Sequence, residues 1–158
     1  MTNKLIDMLD SEFDTFMCQS FPGLFIQRHQ DMSITCMCWG FCIGRGWRNI
    51  LYNLCLDLQK ICDKTKIDIQ FTQIKEKYGS ARFYYDTRMP VICDKLKLTE
   101  INNEILLLIN ESEDKTYTTC AACGKEYKRK KQETGWIKSI CNNCDIIRNR
   151  YKGININE

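Results

Sequence analysis

One histidine and two prolines stand among 158 residues, and the longest uninterrupted aliphatic run is Ile105 to Ile109. The shortage of imidazole removes most acid–base and nucleophilic designs that work near neutral pH, because histidine is the side chain that titrates there. Such a short run lies far below the roughly 20 apolar residues of a membrane-spanning helix, so no membrane span is expected. No secretory leader is expected either, since Asp7, Asp10, Glu12 and Asp14 interrupt every apolar stretch near the start. The nucleophile elbow G-x-S-x-G, the Walker loop, the zincin H-E-x-x-H and the zinc-deaminase pattern are all missing. The chain reads as a cytoplasmic, non-enzymatic protein.

What is abundant is cysteine, with 11 residues. The number is odd and no leader precedes them, so these thiols read as buried side chains or metal ligands of a reducing compartment rather than as a disulfide framework. A hydrophobic content of 44% with 27% charged residues is that of an ordinary folded domain. At this length it buries roughly 70% of its unfolded surface. Residues 1–116 carry a net charge of −2 and residues 117–158 of +5. Four thiolates around one Zn²⁺ would reduce the tail to about +3 and the chain to about +1, a weak overall pull on nucleic acid.

Periodicity predicts the elements. Residues 3–19 place Leu5, Ile6, Met8, Leu9, Phe13, Phe16 and Met17 near helical spacing, with Thr2 or Asn3 as the cap. Phe21-Pro22-Gly23 ends that helix. Ile34, Cys36 and Cys38 alternate with Thr35, Met37 and Trp39, the period of a short strand. From Trp47 to Cys62 the apolar residues recur every three or four positions, one stripe of a helix. Ile67, Ile69 and Phe71, a turn at Tyr78-Gly79-Ser80, and Ala81, Phe83 and Tyr85 predict an antiparallel hairpin, with a bulge between Phe71 and Ile74 where the parity slips. A last helix opens at Thr99, turns Ile101, Ile105, Leu108 and Ile109 inward, and ends among Glu111, Glu113 and Asp114.

The tail carries the most specific pattern. Cys120-x2-Cys123, a gap of 17 residues and Cys141-x2-Cys144 supply four soft ligands in two knuckles, with Gly124 directly after the first pair. Four protein ligands complete a zinc tetrahedron and leave no open position, so the expected role of Zn²⁺ is structural. Lys128, Arg129, Lys130 and Lys131 lie between the pairs with Trp136. This basic and aromatic finger can follow phosphates and stack on bases, or it can simply solvate a small ribbon and cover the metal.

Three further groups are candidates. Gly44-Arg45-Gly46-Trp47 precedes a helix, and the loop either receives an anion through Arg45 and free N–H groups or carries a core tryptophan. Cys36, Cys38 and Cys42 with His29 are candidates for a second metal site, against a reading as buried thiols. Lys75, Lys77, Arg82 and Tyr84 surround the hairpin turn, where they fit an anion or a partner protein, or serve solubility alone.

Trp39-Gly40-Phe41, Gly44-Arg45-Gly46-Trp47 with Leu54-Cys55, Lys75 to Tyr84, and Gly135-Trp136 before the second cysteine pair together resemble a family of small bacteriophage and prophage proteins over about residues 38–144. That family's pattern reads approximately G-F-x-C-G-D-G-W, K-E-K-F-G-x-L-R-F-Y and C-x2-C-G followed by G-W-x3-C-x2-C. Here Ile43, Arg45 and Ala81 replace the usual cysteine, acid and leucine, and Arg45 reverses the charge beside the glycines. The resemblance implies a phage origin, a zinc-bound tail and action in the cytoplasm of an infected bacterium.

The expected architecture is α+β, with helices packed on a small antiparallel sheet over residues 1–116, a four-cysteine zinc ribbon over 117–151 and a tail at 152–158. The expected function is that of a binding protein that occupies a host protein or a small anionic ligand, with inhibition of a bacterial defence system as the matching role. Arg45, Trp47, Lys75, Lys77, Arg82 and Tyr84 are its expected contact surface, and a homo-oligomer is compatible with it. The alternative is a nucleic-acid binder acting through Lys128, Arg129, Lys130, Lys131 and Trp136.

Overall fold

A computed structural model describes residues 4–88, 95–129, 137 and 139–152. It is an α+β fold in which helices α1 (Lys4–Asp7), α2 (Asp10–Ser20), α3 (Arg48–Thr65), α4 (Lys95–Thr118) and α5 (Asn142–Lys152) accompany one three-stranded sheet. Strands β2 (Asp68–Lys77) and β3 (Ser80–Arg88) form the expected antiparallel hairpin, and a two-residue β1 (Phe41–Cys42) adds to β2 in parallel. Among the described residues no helix is long and apolar enough to cross a membrane.

The first helix differs from its expectation by a break at Met8 and Leu9, which divides it into α1 and α2. The cause is Arg48, whose guanidinium donates to the carbonyl oxygens of Leu5 at 3.1 Å and Met8 at 2.8 Å and so replaces the missing helical partners at that end. Glu12 then caps α2 by accepting from the Leu9 amide at 2.8 Å. Leu9, expected inside, is 60% exposed. The expected caps Thr2 and Asn3 lie outside the described residues.

The segment read as a strand around Cys36 is instead a 3₁₀ turn, Cys36–Trp39. The alternation is real but short, and Thr35 overrides it: its hydroxyl accepts from the Met37 amide at 3.1 Å and donates to the Thr72 carbonyl at 3.2 Å, which closes the backbone into a capped turn. The α3 stripe is as expected, with Leu51, Leu54, Cys55, Leu58 and Ile61 all buried. The hairpin turns through Tyr78 and Gly79, both with positive φ, the geometry that matches the strands' twist. The register shifts between Phe71 and Gln73, where the sequence places a bulge. There the Phe71 amide donates to the Leu24 carbonyl at 2.9 Å.

Helix α4 does not stop among its acids but runs on to Thr118. Its polar side chains serve the outer edge of β3: Thr116 Oγ1 accepts from the Ala81 amide at 2.8 Å and Glu113 accepts from the Phe83 amide at 2.9 Å. These are obligatory partners for buried backbone donors, and they hold the last turns helical. A boundary at 116/117 therefore falls inside α4, which leads within two residues to Cys120. The core between these elements joins Phe13, Phe25, Phe71, Trp47, Ile105 and Ile109.

Candidate metal centre

Two knuckles bring Cys120, Cys123, Cys141 and Cys144 together with every pair of sulfurs within 4.8 Å. Cys123 and Cys141 are 3.9 Å apart, close to the roughly 3.8 Å that two sulfurs span across a tetrahedral Zn–S site and far from a disulfide bond. All four thiols are free. In the first knuckle the Cys120 amide donates to the Lys125 carbonyl at 2.8 Å and the Gly124 amide returns to the Cys120 carbonyl at 2.9 Å. In the second, Cys141 and Cys144 sit at the start of α5, and the Cys141 amide donates to Cys120 Sγ at 3.3 Å.

The cluster thiols Cys120, Cys123 and Cys144 differ in how readily they ionise. Burial opposes a thiolate at Cys120, but amides from Cys123, Cys141 and Ala122 outweigh it and bring the thiol down to about 7. Burial pushes Cys123 up, and burial together with the facing thiols pushes Cys144 well above the ordinary range. One sulfur is ready to ionise while Cys123 and Cys144 resist following, a resistance that a divalent ion in the cluster would compensate.

The glycine loop before α3 carries a core tryptophan, one of its two expected readings, and does not present Trp47 to an anion or partner. The Gly46 amide donates to the Ala121 carbonyl at 2.8 Å. A Cβ on Gly46 would lie 2.1 Å from the Cys120 carbonyl, and one on Gly44 2.3 Å from that of Ala121. Trp47 is wholly buried, and its indole donates to the Thr119 carbonyl at 2.7 Å. The loop is thus the seat of the first knuckle, and Trp47 is not part of any contact surface. Arg45 remains exposed and ion-paired with Asp10 at 3.1 Å. It lines a cavity of about 580 Å³ with Arg28, Arg48 and the 62% exposed Trp39.

The hairpin candidates share one face, as the pairs Lys75–Arg82 and Gln73–Tyr84 require. Lys75 sits over the Tyr84 ring at 5.2 Å, and Lys77 over Tyr78 at the same distance. Arg82 turns away to Glu113 at 3.5 Å. Arg45 lies in another cavity, so the expected single surface separates into two places.

Of the finger, Lys128 is exposed, whereas Lys130, Lys131 and Trp136 lie outside the described residues. Arg129 is not free for phosphates. It donates to the carbonyls of Gly79 and, at 3.2 Å, Tyr117, and it stacks 4.0 Å from the Tyr117 ring, fastening the tail to the hairpin tip. Cys36 and Cys42 are exposed rather than buried. Among the described residues they do not gather with Cys38 and His29; Cys36 and Cys38 lie in the 3₁₀ turn and Cys42 in β1.

Sequence reasoning singled out Gly44 and Gly46 but missed their role as the knuckle's seat, and it missed the support from Ser139, whose carbonyl accepts the Ala121 amide at 2.7 Å. The pair of glycines beside a core tryptophan was the available signal. In comparisons with protein families, curated proteins and solved structures, none matches this chain.

Proposed function

We propose that the four cysteines hold a structural Zn²⁺ and that the chain is a non-enzymatic binding protein of the small phage type its motifs resemble, which occupies an acidic surface of a host protein. The resemblance supports action in the infected bacterium's cytoplasm, where inhibition of a defence system is the matching role. The observation that carries the binding face is the hairpin: Lys75, Lys77 and Tyr84 stand together on one side of a tight two-residue turn. A short turn on a paired ladder keeps these side chains in place before a partner arrives, which lowers the ordering cost of association.

A second reading rests on a separate cavity of about 720 Å³ beside the cluster, lined by Lys125, Tyr127, Lys128, Asn142 and Asn143. It favours nucleic acid, with Lys128 along phosphates. One pull-down from bacterial lysate at low salt, with and without nuclease, separates the two. The expected result is a captured protein that survives nuclease and is lost from Lys75→Glu/Lys77→Glu but kept by Lys128→Glu. Capture unchanged by the hairpin variant would overturn the first reading. A nucleic-acid complex whose salt slope shrinks in Lys128→Glu would establish the second.

A further inference from the structure

Outside the four-cysteine cluster, one other group of three or more histidine, cysteine or carboxylate side chains converges among the described residues. Asp14, Cys18 and His29 place a carboxylate oxygen, a sulfur and an imidazole nitrogen all within 4.8 Å of one another. Asp14 and Cys18 are one turn apart on α2, so their side chains leave the same face of the helix. The only histidine of the chain arrives from the loop beyond Pro22.

That loop is fixed. Its neighbour Arg28 donates from Nε to Asp14 Oδ1 at 2.6 Å and from Nη1 to the Cys38 carbonyl at 2.8 Å. The carboxylate is thereby oriented through one oxygen and keeps the other for a further partner, the arrangement by which outer groups aim metal ligands. Arg28 offsets the charge of Asp14, and a cation there is compensated by the Cys18 thiolate formed as it binds.

We propose that Asp14, Cys18 and His29 form a second divalent transition-metal site, taking Zn²⁺ or Co²⁺ and leaving a fourth position for water or another small donor. The mixed oxygen, nitrogen and sulfur set suits borderline ions of this kind and excludes the all-oxygen preference of Mg²⁺ or Ca²⁺. Three protein ligands with one open position distinguish it from the closed tail site. His29 is exposed and the other two are half-buried, so the ion exchanges with solvent.

The test is a Co²⁺ titration of the full chain, loaded with one equivalent of Zn²⁺, in a Cys36→Ser/Cys42→Ser background that removes the exposed thiols. Sulfur-to-cobalt charge-transfer absorption and native mass spectrometry report ligand type and metal count. The expected result is one additional metal per chain with a sulfur band. Cys18→Ser abolishes that band and lowers the count by one. His29→Gln, at an exposed position, weakens binding by more than about tenfold, since even outer-shell losses cost that much. No additional metal in the parent, or a sulfur band that persists in Cys18→Ser, would overturn the proposal. Neither result bears on the hairpin face, and because the count is a difference between variants it does not depend on the tail cluster.

Discussion

Arg48 stands buried at the first position of α3 and connects three parts of the chain. Besides the Leu5 and Met8 carbonyls, it reaches the carboxylate of Asp10, which Arg45 also contacts. The Arg45 hydrogen bond, set against a smaller opposing effect of desolvation and aided by both positive charges, holds the Asp10 carboxyl below its ordinary 3.8. A carboxyl depressed in the folded state contributes stability that is complete above its unfolded value and lost as pH falls through the folded one. Asp10→Asn is therefore expected to lower the urea midpoint at about pH 5 and to converge with the parent near pH 2, measured by denaturation across that range. Nothing in the local pattern signalled Arg48, because a polar residue at the edge of an apolar stripe ordinarily faces water. Trp47 and Arg129 teach the reverse lesson: both have the chemistry of contact residues, and both are spent internally on Thr119 and Gly79.

Helices and strands with strong periodicity were legible. The α3 stripe, the hairpin and its bulge follow from residue spacing, since each turns one apolar face to the core at a fixed period. The Cys36–Trp39 segment was not legible, because three alternating residues are too few to outweigh one well-placed threonine hydroxyl. The glycine loop belongs to the same scale. With the Cys120 carbonyl 2.1 Å and the Gly124 amide 2.5 Å from a Cβ at position 46, Gly46→Ala must push the knuckle from its seat. A loss of about 1–3 kcal/mol or more is expected, together with faster surrender of the tail metal to a chelator. Gly23→Ala, whose Cβ meets nothing within 4 Å, is the matched control and leaves metal retention unchanged.

On the scale of the whole molecule, the cluster is continuous with the core: Ala121 belongs to the buried cluster, and α4 runs directly into the first knuckle. Zn²⁺ bound at the proposed site is accordingly expected to stabilise the fold beyond the tail. Once free Zn²⁺ exceeds its dissociation constant, each tenfold increase adds about 1.4 kcal/mol, read from the shift in urea midpoint. Chelation should raise amide exchange at Gly46 and Ala121 together, since the Gly46 amide donates to the Ala121 carbonyl and the Ala121 amide to the Ser139 carbonyl, both against the first knuckle. An effect confined to the tail would mean that the seat holds without the ion.

The sequence by itself determined the four tail sulfurs, the main helices and the hairpin, because ligand spacing and apolar period are local properties that survive without knowledge of neighbours. Only the tertiary structure decided what the knuckle rests on, which basic side chains remain free, and that Asp14, Cys18 and His29 meet. Those outcomes depend on contacts between distant stretches, such as the 72 residues that separate Trp47 from Thr119, and close packing rather than pattern selects which of them form.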